Sequence, residues 1–213
     1  MSQLHHEQSP LPASIPIPPL ASQREPQSAG QTDDAGEDRT VVFTRPLNEN
    51  EWGMIRAFVA KTDREDLRLR FGQSLDFADA ATLKRFFDIG GDGGELVCML
   101  DEAGDITGIL QRVLTSPSEA EIALIVRSDR QRMGIGEKLL RTALSRAIGQ
   151  NLKTLRALVL HENGAMLRLA RKFGLASRKP SGFSVELELD LRPGGTSTVQ
   201  YEPQRGMARE IAN

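Results

Sequence analysis

The stretch Arg127-Ser128-Asp129-Arg130-Gln131-Arg132-Met133-Gly134-Ile135-Gly136-Glu137-Lys138-Leu139-Leu140 decides how the rest of the chain reads. The apolar run Ile122-Ala123-Leu124-Ile125-Val126 feeds into it and has the length and composition of a buried strand. Leu139, Leu140, Ala143, Leu144, Ala147 and Ile148 leave it at helical spacing. Between the two lies a turn with Gly134 and Gly136. Glycine allows backbone angles that other residues resist and lets a ligand approach the main chain closely. The turn also opens a helix, whose free N–H groups and positive dipole end attract an anion. Strand, glycine turn and helix thus form a phosphate cradle, to which Arg127, Arg130, Arg132 and Lys138 add positive charge. Chain reversal alone is the other use of such a turn. A dinucleotide fingerprint fits less well, because the third glycine is missing and the preceding strand follows a meander.

Working outward, Thr40–Thr44 reads as a first strand, and Asn48 caps a helix through Ala60 whose apolar face includes Trp52, Ile55 and Phe58. In Asp63–Phe71, Leu67, Leu69 and Phe71 alternate with Arg68 and Arg70 like a strand. The early carboxylates favour a helix instead. A helix over 79–88 follows. Glu95–Leu100, Ile106–Leu114 and Glu119–Val126 are joined by short turns and form an antiparallel meander. Leu155–His161 is a strand, and Asn163 caps a helix with Met166, Leu169, Ala170 and Phe173 on one face, stopped by Gly174. A strand–helix–strand crossover around the glycine turn makes its two strands parallel. Phe183–Leu191 alternates strictly and closes the pattern as a half-buried strand.

The 213 residues suffice for one domain with tails, and the formal net charge of -2 carries no basic surplus that would point to nucleic acid. Residues 1–39 are rich in Pro, Ser, Gln and charge, and read as a disordered tail. Residues 192–213 read as a second loose tail, leaving 40–191 as the folded domain. The single cysteine, Cys98, excludes an intramolecular disulfide, fits a reducing cytoplasm and suits a core position. No run reaches the roughly 20 apolar residues that span a bilayer, and no secretory signal pattern opens the chain. No His/Cys/Asp spacing suggests a metal site. Nothing in the pattern sets an oligomeric state.

Gln131-Arg132-Met133-Gly134-Ile135-Gly136, placed after a strand and opening a helix, resembles the Gln/Arg-x-x-Gly-x-Gly/Ala signature of the GNAT superfamily of acyl-CoA-dependent N-acyltransferases. The order of elements over 40–191 is similar to that superfamily. Ala120-Glu121, Leu69-Arg70-Phe71, and Glu162-Asn163 leading into Met166–Leu175 resemble the acetyltransferase domain of bacterial protein-lysine acetyltransferases. The resemblance implies a mixed α/β (α+β) fold. Its sheet is mostly antiparallel, with a central, splayed parallel strand pair and flanking helices. It implies acetyl-CoA as the acetyl donor and an amine acceptor, either a protein lysine or a small molecule.

By this resemblance, backbone N–H groups of Gln131, Arg132, Met133, Gly134, Ile135 and Gly136 hold the cofactor's diphosphate. The main chain at Leu124, Ile125 and Val126 takes the pantetheine arm, Asn163 touches it, and an N–H there can stabilise the tetrahedral oxyanion. A free lysine has a pKa near ~10.4, so a base must take its proton. Glu121 matches the base of the protein-lysine enzymes, and Glu119, two residues away on the same strand face, is the fallback. His161 reads as structural. The tyrosine that protonates the leaving thiolate in many GNAT enzymes corresponds to Ala170, and the only tyrosine is Tyr201 in the tail. A thiolate is a tolerable leaving group without it. The missing acid also suits a non-catalytic acyl-CoA-binding module.

Overall fold

The structure, a computed structural model, describes residues 39–89 and 93–193, so all but Arg39, Arg192 and Pro193 of the two expected tails, and part of the Gly90–Gly94 run, lie outside the described residues, and Arg39 already belongs to the first strand. The elements run β1 (Arg39–Phe43), α1 (Glu49–Ala60), α2 (Arg64–Phe71), α3 (Ala80–Phe87), β2 (Glu95–Leu100), β3 (Ile106–Ser116), β4 (Glu119–Val126), a 3-10 turn (Ser128–Arg130), α4 (Ile135–Gly149), β5 (Thr154–Leu160), α5 (Gly164–Lys172), β6 (Ala176–Ser181) and β7 (Ser184–Asp190).

The strands make one seven-stranded sheet in the order β1-β2-β3-β4-β5-β7-β6. Only β4 and β5 pair in parallel. Alternation sorts the side chains onto two cores. Val97, Met99, Leu110, Ile122, Ala157 and Leu187 pack with Leu139, Leu140 and Ala143 of α4 and Met166 and Ala170 of α5. On the other face Leu96, Cys98, Ile109 and Ile125 pack with Trp52, Ile55 and Phe58 of α1, Leu67 of α2 and Leu83 and Phe87 of α3. β2, buried at every position, serves both layers.

Local chemistry places the helices. Asn48 and Glu51 form a reciprocal capping box at the start of α1, with the Glu51 N–H donating to Asn48 Oδ1 at 3.0 Å and the Asn48 N–H to Glu51 Oε2 at 2.8 Å. Such a cap is worth about 1 kcal/mol. The segment with strand-like alternation is a helix. Leu67 and Phe71, four apart, face the α1–α3 core, whereas Asp66, Leu69 and Arg70 form a second stripe. Gly108 on β3 has no side chain because a Cβ there would come within 2.8 Å of Ile135 and 2.9 Å of Leu139, so α4 can lie close on the sheet.

One strand was not foreseen from sequence. β6, Ala-Ser-Arg-Lys-Pro-Ser, is exposed at every position and has a register shift between Ser177 and Lys179. It buries no face, so it carries no apolar alternation, and its Arg178, Lys179 and Pro180 suit an unpaired sheet edge. Phe183, expected at the start of the last strand, sits before it at the hairpin and is 90% exposed. Among the described residues no helix is long and apolar enough to cross a membrane.

Candidate active site

β4 and β5 stay paired only at Glu119↔Thr154, Ala120↔Leu155 and Glu121↔Arg156. Beyond that vertex β4 continues along β3 to the Gly108↔Val126 pair, while β5 continues along β7 to Leu160↔Ser184. The two strands therefore diverge, and a gap opens between them. The ladder phase says which groups face it. The Arg127 N–H donates to the Thr107 carbonyl at 2.9 Å, so Thr107 and Arg127 form a hydrogen-bonded pair. Antiparallel alternation then turns the main chain of Ile125 and Ala123 toward β3, and that of Leu124 and Val126 toward the gap. Of the three residues expected to receive an extended ligand, Leu124 and Val126 offer their backbone, and Ile125 contributes a buried side chain.

The gap ends in a cavity of about 350 Å³. Leu124, Ile125 and Val126 of β4, Gln131, Arg132, Gly134, Ile135, Gly136 and Asn163 all line it. The loop backbone reverses through positive φ at Arg132 (61°) and Gly134 (83°). Gly134 is the N-cap of α4 and brings no capping side chain, so the first-turn amides of α4 open onto the cavity. A Cβ on Gly136 would stand 3.1 Å from Leu169 and 3.8 Å from Leu124 and Val126, so its lack of a side chain keeps the α4 turn close to β4 and α5. Asn163 caps α5 by accepting the Met166 N–H at 3.0 Å, and that second helix start also borders the cavity. Two positive dipole ends therefore converge on one space. These features fit a long, thin ligand with an anionic end.

The charges differ from the sequence reading in one respect. Arg127 does not face the cradle. It is buried, pairs with Asp129 at 2.7 Å and donates to the Ile106 carbonyl at 3.3 Å, so it fixes the loop from beneath. Arg130, Arg132 and Arg168 line the cavity. Met133 is outside the lining and 59% exposed.

Glu121 stands at the vertex of the splay, exposed, and also outside the cavity lining. Among the described residues its side chain makes no hydrogen bond or ion pair. Its fallback Glu119 is instead held by Arg156 at 3.1 Å, which in turn pairs with Glu188 at 3.0 Å. Glu119 is thus occupied by a guanidinium, whereas Glu121 has no such partner among the described residues. His161 is exposed and borders no part of the cavity. Ala170 is fully buried between α5 and its core, and among the described residues no tyrosine, histidine or cysteine lines the cavity. Burial pushes the Cys98 thiol far up, as suits a core residue. No cluster of metal-ligating side chains occurs among the described residues.

The sequence offers Leu69-Arg70-Phe71 only as part of the resemblance, and does not by itself show that Asp66, Leu69 and Arg70 of α2 form a wall of the cavity. Their i, i+3, i+4 spacing in a helix was the available signal. Burial pulls the Arg70 pKa down to about 10, and the nearby Glu121 carboxylate partly offsets this. Arg68, also on α2, bridges to Glu162 after β5 at 2.7 Å and ties the helix across the open end of the splay.

Residues 57–175 match the acetyltransferase (GNAT) family. Among solved structures, the GNAT domain of S. lividans PAT is similar at 22% identity, with 71% of this chain and 90% of that chain covered and a TM-score of 0.60. A GNAT superfamily phosphinothricin acetyltransferase from Sinorhizobium meliloti, in complex with AcCoA, is similar at 18% identity, covering 82% and 97%, with a TM-score of 0.58. Spermidine N-acetyltransferase from Vibrio cholerae, in complex with CoA and spermine, is similar at 15% identity, covering 70% and 92%, with a TM-score of 0.55.

Proposed function

The chain belongs to the acetyltransferase (GNAT) family, and we propose that it moves an acetyl group from acetyl-CoA to a primary amine by direct attack, with Glu121 as general base. The observation that carries this reading is the splay that starts at Glu121 and opens onto the uncapped start of α4. In it the α4 amides and the Gln131–Gly136 loop hold the diphosphate, and Leu124 and Val126 pair with the pantetheine arm as a neighbouring strand would. Their N–H groups also face the developing oxyanion. The amine nitrogen bonds to the thioester carbon, its proton passes to Glu121 directly or through water, and the C–S bond breaks to release the thiolate. With no acidic side chain assigned to it, the thiolate leaves as the anion and takes its proton from solvent.

The strings around Glu121, Arg70 and Asn163 that resemble protein-lysine acetyltransferases support a protein lysine as acceptor. A small-molecule amine is the competing acceptor for the same chemistry. The lone buried cysteine fits a reducing cytoplasm.

Glu121→Gln tests the base. Expected is a fall in kcat of roughly 10²–10⁴-fold, with acetyl-CoA affinity by calorimetry changed less than about twofold. Unchanged turnover removes Glu121 from the mechanism.

A further inference from the structure

Arg70 is a cavity-lining cation on α2, away from the Gln131–Gly136 loop. It projects from α2 onto the sheet face opposite α4, and its Nη2 donates to Gln111 Oε1 at 3.1 Å. Gln111 is itself fixed, since its Nε2 donates to the Asp88 carbonyl at 3.1 Å and so orients the amide oxygen toward Arg70. The guanidinium carbon lies 4.6 Å from the centroid of the Phe71 ring, which supports it further. Gln111 pairs in register with Ala123, so Arg70 is anchored over a stretch of β4 whose side chain is small. From Ala123 to Arg127, where the diphosphate loop begins, is four residues of strand, about 13 Å, and on the other sheet face. Arg70 is therefore at the thioester end of the cavity. Glu121, in contrast, lies two residues from Ala123, about 7 Å along the same face.

Among the described residues the hydrogen bond to Gln111 occupies one of the five N–H donors of Arg70. The remaining donors belong to a half-buried guanidinium that borders the cavity and meets no carboxylate within ion-pair distance among the described residues. The other charges on this wall are spoken for. Asp66 accepts a hydrogen bond from Ser128 Oγ at 2.5 Å, and Glu119 is held by Arg156. The cavity thus presents a fixed cation with free donors, and Glu121, outside the lining, stands two residues along β4 from the Ala123 position beside which Arg70 is anchored.

Resting on the reading of Glu121 above, we propose that the acceptor amine carries a carboxylate close by, and that Arg70 binds this carboxylate while the amine sits at Glu121. The carboxylate belongs either to a free amino acid or to an acidic side chain beside a peptide lysine. Both present the same chemistry to a planar guanidinium, which suits two-point recognition of a carboxylate. Arg70 is then a specificity residue for the acceptor.

The experiment compares matched acceptors with full-length protein and acetyl-CoA. One arm pairs free amino acids with their amides. The other pairs lysine peptides flanked by Glu with the same peptides flanked by Gln. Expected in at least one arm is a preference in kcat/KM for the carboxylate of about tenfold or more, which collapses toward one in Arg70→Gln and is only partly kept in Arg70→Lys. The arm that shows it identifies the source. Binding at saturating CoA, read as thermal shift, gives a readout independent of turnover and confirms that each variant folds. No carboxylate preference in either arm, or one that Arg70→Gln leaves intact, overturns the proposal. If carboxylated amines bind through Arg70 but no amine is acetylated, the acceptor site stands and the Glu121 reading fails.

Discussion

The two ends of α4 face opposite demands. At its start, Gly134 supplies no capping side chain, and the first-turn amides open onto the cavity. At its end, Arg146 and Gln150 join Glu95 and Arg112 in a network closed against the sheet. Arg146 donates twice to Glu95 at 2.8 and 2.9 Å, Gln150 donates to it at 2.7 Å, Arg112 Nη2 meets it at 2.9 Å, and Gln150 accepts from Arg112 at 2.6 Å. Glu95 and Arg112 are almost wholly buried. One end of a single helix leaves polar groups for a ligand, and the other ties its polar groups to the sheet, although Arg112 Nε and Nη1 find no hydrogen-bond partner among the described residues. The lesson is that binding and stability are lodged at different ends, so single substitutions should separate them.

The largest effect is expected at the closed end. Glu95→Ala strands the Arg112 guanidinium inside the protein, where breaking a buried pair costs about 3–5 kcal/mol. Chemical denaturation should show a loss of that order, with acetyl-CoA affinity of the remaining folded protein little changed. A loss below about 1 kcal/mol would mean that the network does not anchor α4.

At the open end the effect is smaller in stability and larger in binding. Nothing lies within 4 Å of a Cβ built on Gly134, so Gly134→Ala pays only for the backbone at φ 83°. That is about 1–2 kcal/mol. Acetyl-CoA affinity by calorimetry should fall by more than this stability loss alone would bring, because the loop amides lose their aim. Unaltered affinity would sever the glycine turn from diphosphate binding.

The smallest expected signal is the pH dependence of the closed end. Burial raises the Glu95 pKa, but the hydrogen bonds from Arg146 and Gln150 and the Arg112 charge outweigh it and leave the group below the usual carboxylate value. A carboxylate lowered by folding stabilises the protein above its unfolded pKa of about 4.3, and that contribution is lost as the pH falls through the lower folded value. The stability gap between the protein and Glu95→Gln should therefore be widest near neutrality and narrow below about pH 4. A gap independent of pH would mean that Glu95 is not ionised in this network.

Much of the fold was legible because burial leaves a period. β7 reads apolar in, polar out, and α4 shows its stripe. β6 was not legible, since an exposed edge strand buries no face. In the site, the glycine turn, the splayed pair and Asn163 followed from local pattern and resemblance. Arg127 was misplaced because a sequence cannot tell a cation that faces a ligand from one that pairs with Asp129 beneath the loop. The string Leu69-Arg70-Phe71 does not reveal a task for Arg70, because only the helical phase of α2 puts it on the cavity rather than on the core side.

By itself the sequence determined the order of elements apart from the edge strand β6, the glycine turn that opens α4 and the carboxylate near the head of β4, all of which depend on neighbours within a few residues. The tertiary structure alone decided where β4 parts from β5, that Glu119 is tied to Arg156 while Glu121 is free, and that Arg70 meets Gln111 across the sheet. The reason is physical. Capping, glycine torsions and amphipathic period act along the chain, whereas ion pairing and access to a cavity depend on groups as far as 94 residues apart, which only the closed fold brings within 4 Å.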